Sequence, residues 1–183
     1  KMLPMPSVRI TKGDILAQVS GPARSILRAE RVSLNFLQHI SGIATKTKIA
    51  CEAISGTKAV ISDTRKTTPG LRSLEKYAVR VGGGTNHRFN LADGILIKDN
   101  HIKAAGGISN AVRMARKLAT HMLKIEVEVE TFDQIREALD CGADIIMLDN
   151  MSIHNMKKAV SMINGRAIVE ASGNMGEKDL LEV

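Results

Sequence analysis

From residue 56 onward, short apolar runs alternate with stretches in which apolar residues recur at helical spacing. Short apolar runs bounded by turn residues predict strands, and the longer periodic stretches predict helices. The predicted strands cover residues 59–62, 94–97, 125–129, 145–148 and 168–169. Regular alternation of this kind predicts an α/β fold in which βα units build a parallel sheet.

The helices between these strands have recognisable start signals and apolar faces. One face of the helix predicted over 71–81 carries Leu71, Leu74, Ala78 and Val81. The helix after the second strand is expected to begin at the N-cap Ser109 and to turn Val112, Ala115 and Leu118 inward. Thr131 with Gln134 has the spacing of a capping box, and Ser152 is expected to cap the following helix.

The first part of the chain has a different pattern. Residues 8–10 and 17–19 are predicted strands around the turn Lys12-Gly13-Asp14, and residues 22–55 are helical with a break at Gly42. We therefore place one domain over 1–42 and an α/β domain over 43–183. Since a complete α/β barrel closes with eight strands, the five strands predict a truncated C-terminal end and a longer parent protein.

The composition favours a small anionic partner. Lysine and arginine exceed acidic residues by a net charge of +7, which attracts anions. Three Phe, one Tyr and no Trp leave little aromatic surface for stacking bases, which argues against single-stranded nucleic acid. No apolar run is long enough to span a membrane. The separated cysteines Cys51 and Cys141 indicate a reduced, cytoplasmic protein without a disulfide.

Charged or small polar residues follow every predicted strand. Ligands of parallel α/β proteins bind beyond the carboxyl ends of strands, so these residues predict a functional site. In chain order the segments are Asp63-Thr64-Arg65-Lys66-Thr67, Lys98-Asp99-Asn100-His101, Glu126 to Glu130, Asp149-Asn150 and Glu170 to Asn174. His101 is expected either to touch a ligand or to brace its loop.

The third strand alternates Glu126, Glu128 and Glu130 with two valines. Alternation in a strand sends the carboxylates to one face and the valines to the other. We expect the valines to pack on helices and the glutamates to face the ligand side. The alternative is an edge strand whose glutamates face solvent.

Two further segments have a functional and a structural interpretation. Ser172-Gly173-Asn174 before a short helix suits phosphate, because free amides would face the anion, but the same residues are common as a simple cap. His87-Arg88 suits carboxylates, although it is also compatible with an exposed loop. The preceding glycines, Gly82 to Gly84, match neither a dinucleotide fingerprint nor a P-loop.

Several longer segments together resemble quinolinate phosphoribosyltransferases. In order along the chain they are AERVSLNFLQHISGIAT from Ala29, DTRKTTPGLRSLEKYAV from Asp63, GGGTNHR from Gly82, LIKDNHI from Leu96, IEVEVE from Ile125, MLDN from Met147 and EASGN from Glu170. The resemblance extends over nearly the whole chain, and the order of DTRKT, NHR and KDNH makes it specific.

The resemblance implies part of a small N-terminal α/β sandwich domain and an open TIM-like α/β barrel, incomplete in this chain. It implies a homodimer or larger homo-oligomer, with Arg31 contributed to the neighbouring subunit's site. The family's later glycine-rich phosphate loop and closing strands are expected beyond Val183.

The resemblance also implies roles for single residues. It places around quinolinate and the pyrophosphate the residues Arg31, Thr64, Arg65, Lys66, His87, Arg88 and Lys98. It places Glu128 and Asp149 near the ribose and Mg²⁺, with Lys66 as a further catalytic residue, and Ser172, Gly173 and Asn174 near the 5′-phosphate. Mg²⁺ with phosphoribosyl pyrophosphate is expected, and no organic cofactor.

The expected reaction joins quinolinate to phosphoribosyl pyrophosphate and releases pyrophosphate and CO₂, giving nicotinate mononucleotide for NAD synthesis. The alternatives are a molybdenum-transport-associated paralogue with another substrate, a nicotinate-specific enzyme and a non-enzymatic anion- or nucleic-acid-binding barrel. Basic residues gathered at strand ends argue against the last of these.

Overall fold

The computed structural model describes residues 8–183, apart from the side chain of Glu177. The predicted domain over 1–42 therefore begins with seven residues outside the described part of the chain. Two compact units are present, Lys1–Phe89 and Asn90–Val183. The predicted domain boundary near residue 42 stays a prediction.

The second unit is a βα structure built around four parallel strands. Its elements in chain order are β1 (Ile95–Ile97), α3 (Asp99–Ala105), α4 (Ile108–Leu118), β2 (Ile125–Val129), α5 (Phe132–Asp140), β3 (Ile145–Asp149), α6 (Ile153–Ile163), β4 (Ile168–Ser172) and the short 3₁₀ turn Met175–Glu177. The strands lie in the order β1-β2-β3-β4, and each pairs in parallel with the next. The predicted α/β class and parallel sheet are confirmed.

One face of this sheet forms the hydrophobic core. Val127 pairs with Ile146 across β2 and β3, and both side chains are fully buried. Successive residues of a strand point to opposite faces, so their neighbours Glu128 and Met147 occupy the other face. Helices α4, α5 and α6 cover the apolar face with Ile108, Val112, Ile135, Ala138, Met156, Ala159 and Ile163.

Two of the predicted helix starts are confirmed and one is wrong. Thr131 and Gln134 form the reciprocal capping box of α5, and the Ser152 hydroxyl accepts the Asn155 amide at the start of α6. Helix α4 begins instead after Gly107, whose φ of 134° favours glycine. Ser109 lies inside that helix, where its amide and hydroxyl donate to Glu137. Leu118, predicted to face inward, is 86% exposed.

The first unit consists of α1 (Ala23–Ala53), α2 (Arg72–Val81) and connecting loops. The strands predicted over 8–10 and 17–19 are wrong, because both segments are exposed coil. The strand predicted over 59–62 is reduced to one parallel bridge between Ser62 and Thr85. The predicted helix over 71–81 is confirmed within one residue.

Helix α1 runs without interruption through Gly42, so the predicted break is wrong. A Cβ atom at Gly42 would meet nothing within 4 Å. At Gly82, the end of α2, a Cβ atom would instead lie 2.5 Å from the Ala44 carbonyl oxygen and 2.7 Å from the Cβ of Thr47. The absence of a side chain at Gly82 therefore allows α1 and α2 to approach closely.

No helix in the described residues is both long enough and apolar enough to cross a membrane. Helix α1 has the required length, but polar and charged residues recur throughout it. Its side chains are largely exposed, and Thr47 is its one residue counted as buried.

Exchange of the two helix glycines for alanine should have opposite effects. Gly42→Ala should raise the free energy of unfolding by about 1 kcal/mol, because alanine is the better helix former. Gly82→Ala should lower it by about 1–3 kcal/mol, because the added methyl group overpacks the contact with α1. Urea unfolding of both variants measures the difference, and equal stabilities would contradict the close approach at Gly82.

Candidate functional site

In the first unit, Asp63 organises the two loops that carry predicted site residues. Its carboxylate accepts the His87 amide at 2.9 Å and the Asn86 side-chain amide at 2.6 Å. It also forms an ion pair with Lys76, whose ammonium group donates to the His87 carbonyl at 2.9 Å. Side-chain exposure is 4% for Lys76 and 8% for Asp63, so the pair is buried.

The loop after Asp63 is a compact turn. The Thr64 hydroxyl accepts the Lys66 amide at 3.0 Å, and the Arg65 carbonyl accepts the Thr67 amide at 3.0 Å. Arg72 of α2 donates to the same Arg65 carbonyl at 3.2 Å. The loop backbone is thus fixed from within and from α2.

The side chains of Arg65 and Lys66 are not neutralised within the described part of the chain. No carboxylate there forms an ion pair with either residue, and the Nε atom of Arg65 is buried without a hydrogen-bond acceptor. A buried donor without an acceptor costs about 1–3 kcal/mol, more when the group is charged. An anionic ligand bound to Arg65 and Lys66 would neutralise their charge.

Glu75 of α2 secures the far end of this loop. Its carboxylate accepts the Thr68 amide at 3.1 Å and contacts the His39 Nε2 atom at 2.8 Å. Burial acts to raise the pKa of Glu75, but hydrogen bonds from Thr68 and His39 outweigh it, so the pKa lies below its ordinary value. His39 is therefore part of the α1–α2 contact.

In the second unit, Lys98 and Glu128 form an ion pair beyond the end of β1. The Lys98 ammonium group lies 2.6 Å from a Glu128 carboxylate oxygen, and the Glu128 side chain is 14% exposed. His101 accepts the Lys98 amide through Nδ1 at 2.9 Å. This contact favours the bracing role that was one of two expectations for His101.

The glutamates of β2 occupy the sheet face opposite the core, as predicted. Glu126 is buried and Glu128 partly buried, while Val127 and Val129 are fully buried among the helices. Carboxylate oxygens of Glu126 and Glu170 lie within 4.8 Å of one another on this face. Glu130 differs from the prediction, since it lies beyond the end of β2 and is exposed.

The ends of β3 and β4 meet in a tight contact. The Asn150 amide donates to the Ser172 carbonyl at 3.1 Å, and the Asn150 side chain donates to Asp149 at 3.0 Å. Gly173 has a φ of 90°, and a Cβ atom there would lie 2.1 Å from the Asn150 side-chain oxygen. Because Gly173 has no side chain, the Asn150 side chain fits beside it and donates to Asp149.

Two family models together cover almost the whole chain. The model described as quinolinate phosphoribosyl transferase, C-terminal domain, matches residues 43–183, and the corresponding N-terminal domain model matches residues 7–41. The chain belongs to the quinolinate phosphoribosyl transferase family.

Relatives in this family have similar names across distant organisms. A probable nicotinate-nucleotide pyrophosphorylase [carboxylating] of Bacillus subtilis is 52% identical over 164 residues, which cover 90% of this chain and 57% of that protein. A probable enzyme of the same name from Methanocaldococcus jannaschii is 47% identical over 179 residues, covering 93% of this chain and 62% of the relative. The chain thus spans about three fifths of the length of these relatives.

Solved structures confirm the fold of the family. NadC from Streptococcus pyogenes superposes with a TM-score of 0.88 at 49% identity, covering 96% of this chain and 61% of that one. Nicotinate-nucleotide pyrophosphorylase from Ehrlichia chaffeensis gives a TM-score of 0.84 at 44% identity, covering 95% and 65% of the two chains. The α/β fold and its resemblance to these enzymes are therefore shown.

Mg²⁺ is implied by the resemblance alone and stays a prediction, and the charged sheet face offers carboxylates of the kind that such an ion accepts as ligands. Glu128 and Asp149 lie on that face, since Glu128 pairs with Met147 and Asp149 follows two residues later. One carboxylate oxygen of Glu128 accepts from Lys98, and one carboxylate oxygen of Asp149 accepts from Asn150. Mg²⁺ prefers oxygen ligands and commonly binds one or two carboxylates together with substrate phosphates.

Arg31 was placed by resemblance alone, and it lies exposed on α1. Its predicted contribution to a neighbouring subunit stays a prediction. The sequence pattern does not reveal Asp63 as the centre of a network or the contacts of Arg72, Glu75 and Lys76. Their spacing of three and four residues on one helix face was the available signal.

Gly173→Ala should disturb the end of β4. A side chain at φ 90° is strained and would collide with Asn150, so we expect a loss of about 1–3 kcal/mol in unfolding free energy. Gly176→Ala is the matched control, because a Cβ atom there meets nothing within 4 Å. Denaturant unfolding measures both variants, and equal effects would contradict the contact between Gly173 and Asn150.

Glu75 should contribute to the loss of folding stability at low pH. Because its pKa is lowered in the folded state, its stabilising effect is present above the unfolded value of about 4.3 and is lost as the pH falls through the folded value. Urea midpoints between pH 7 and pH 3 should therefore fall less steeply in Glu75→Gln than in the unsubstituted protein. Parallel curves would contradict this role.

Proposed function

We propose that the protein containing this chain transfers the phosphoribosyl group of phosphoribosyl pyrophosphate to quinolinate, with decarboxylation to nicotinate mononucleotide. The observation that carries the proposal is the un-neutralised pair Arg65 and Lys66 in the first unit, with the Arg65 Nε atom buried and lacking an acceptor. A dianionic pyridine acid supplies carboxylates for such donors. Membership of the family and the names of its relatives support the same reaction.

The basic residues of the first unit are proposed to bind the substrate's anionic groups. Arg65 and Arg88 offer fork-shaped donors that match a carboxylate, while Lys66 and His87 add further donors. Thr64 shapes the loop by accepting the Lys66 amide. Fixed donors of this kind orient the pyridine nitrogen for attack on the ribose.

In the second unit, the ion pair between Lys98 and Glu128 is proposed to act on the ribose and pyrophosphate. Lys98 stabilises the negative charge of the departing pyrophosphate. Glu128 and Asp149 stabilise the positive charge that develops on the ribose carbon. Bound Mg²⁺ would neutralise charge on the pyrophosphate, with Glu128 and Asp149 as its protein ligands. Ser172, Gly173 and Asn174 are proposed to hold the 5′-phosphate.

The reaction balances without an organic cofactor. The pyridine nitrogen forms a bond to the ribose carbon as the bond to pyrophosphate breaks. The resulting cationic ring then accepts the electron pair of the bond to the adjacent carboxylate, which leaves as CO₂, and a proton takes its place. The protein's part is binding, orientation and charge stabilisation.

Assembly and location complete the proposal. We propose a cytoplasmic homodimer or larger homo-oligomer in which the exposed Arg31 of α1 contributes to the site of the neighbouring subunit.

Among the alternatives, a paralogue with another anionic substrate would use the same basic loops. A nicotinate-specific enzyme would need fewer cations, since nicotinate has one carboxylate.

The substrate is tested in the complete protein that contains this sequence. Incubation with Mg²⁺, phosphoribosyl pyrophosphate and quinolinate should yield nicotinate mononucleotide and CO₂ in equal amounts, whereas nicotinate should yield neither. Product from nicotinate alone would overturn the proposal. Binding of phosphoribosyl pyrophosphate without turnover of either acid would favour the paralogue.

Residue roles are tested by kinetics of three variants. Lys66→Ala should mainly raise KM for quinolinate, and Glu128→Gln should lower kcat by on the order of 100-fold, as expected for a lost transition-state contact. Lys58→Ala, on an exposed loop of the first unit, is the control and should behave as the unsubstituted protein. Unchanged kinetics in Lys66→Ala and Glu128→Gln would contradict both assignments.

A further inference from the structure

Helix α2 turns a charged face inward. Arg72, Glu75 and Lys76 are spaced three and four residues apart and so share one side of the helix. Glu75 is 9% and Lys76 4% exposed, and Arg72 is half-buried. The apolar residues Leu74 and Tyr77 are instead 39% and 38% exposed.

Arg72 connects the two loops that carry the predicted quinolinate ligands. Its guanidinium group donates to the Arg65 carbonyl at 3.2 Å and to the Thr67 hydroxyl at 3.1 Å. A third donor reaches the Phe89 carbonyl at 3.1 Å. One planar group therefore contacts both the 63–68 loop and the 86–89 segment.

Lys76 makes a second connection between the same loops. It pairs with the Asp63 carboxylate and donates to the His87 carbonyl, while Asp63 itself accepts the His87 amide. Glu75 adds a third contact by accepting the Thr68 amide. Each of these contacts ends within two residues of Arg65, Lys66, His87 or Arg88.

Stability alone does not account for this arrangement. Burying an ion pair such as Asp63–Lys76 costs desolvation energy, and apolar residues of similar volume are often as stable or more so. A buried pair with several directed hydrogen bonds does, however, specify one geometry for the segments it joins. The charged face therefore serves to fix the position of one loop relative to the other.

We propose that Arg72, Glu75 and Lys76, here called the α2 clamp, are positioning residues that set the spacing between the Arg65-Lys66 and His87-Arg88 pairs. Fixed spacing between two sets of donors selects a substrate with two carboxylates on adjacent ring positions over one with a single carboxylate. This inference rests on the proposed function. The clamp residues do not touch substrate.

Loop geometry is tested without reference to activity. Arg72→Lys keeps the charge but loses the planar fork, so hydrogen exchange of amides in 63–68 and 86–89 should become on the order of 10-fold faster. Arg80→Lys is the matched control, because Arg80 lies exposed on the same helix. Unchanged exchange in Arg72→Lys, or equal change in both variants, would overturn the clamp.

Kinetics then separate positioning from simple stability. In Arg72→Lys, KM for quinolinate should rise on the order of 10- to 100-fold while KM for phosphoribosyl pyrophosphate stays unchanged, because misplaced donors affect one substrate. A lowered melting temperature with an unchanged KM for quinolinate would show a structural role only and overturn the proposal.

A second variant keeps the test decisive if Arg72→Lys folds poorly. The double substitution Asp63→Asn with Lys76→Met removes the buried charges together, so the protein should stay folded and still bind quinolinate weakly. Wild-type quinolinate kinetics in this variant would overturn the proposal. A failure of the proposed function would give a different result. The unsubstituted protein would then turn over no quinolinate, whereas amide hydrogen exchange in Arg72→Lys would still be faster.

Discussion

The strict two-residue alternation of β2 and β3 is the constraint on which the second unit depends. It sends Val127, Val129 and Ile146 into the helix-covered core and keeps Glu126 and Glu128 on the other face. A slip of one residue in register would bury the carboxylates among apolar side chains at a cost of several kcal/mol for each unpaired charge. The same alternation therefore secures the core and delivers the charged groups to one surface.

The first unit positions its charged groups in another way. Its loops have little regular structure, since the region after α1 contributes a single bridge between Ser62 and Thr85. Buried polar contacts centred on Asp63 and α2 replace the ladder of a sheet. Loops that carry binding residues are commonly held by a rigid element beneath them, and α2 serves as that element here.

The sequence predicted the four strands of the second unit and most of its helices, because alternation and helical spacing are strong local signals. Helix α3 was missed because its seven residues have no apolar periodicity. The break at Gly42 was wrong because about 1 kcal/mol of helix propensity is small against a 31-residue helix. Ser109 was a plausible cap, but Gly107 ended the preceding turn in a conformation that glycine adopts readily.

Some residues of the candidate site were predicted from the sequence and others were not, for a physical reason. Residues that follow strands, such as Lys98 and Asp149, are readable because strand ends meet at one edge. The contacts of Asp63 with Lys76 and His87 join positions 13 and 24 residues apart, and no local pattern reveals such pairs. The face of α2 was predicted only in part. Ala78 is fully buried as expected, but Leu74 is 39% exposed, whereas the charged residues Glu75 and Lys76 are buried by tertiary hydrogen bonds.

A crystal structure of the complete protein with bound quinolinate tests the central claim most directly. The account predicts one carboxylate within hydrogen-bonding distance of the Arg65 guanidinium group, the other on His87 or Arg88, and an unchanged network around Asp63 and Lys76. Quinolinate bound away from Arg65, His87 and Arg88, or bound there only after the Asp63–Lys76 pair has broken, would contradict it.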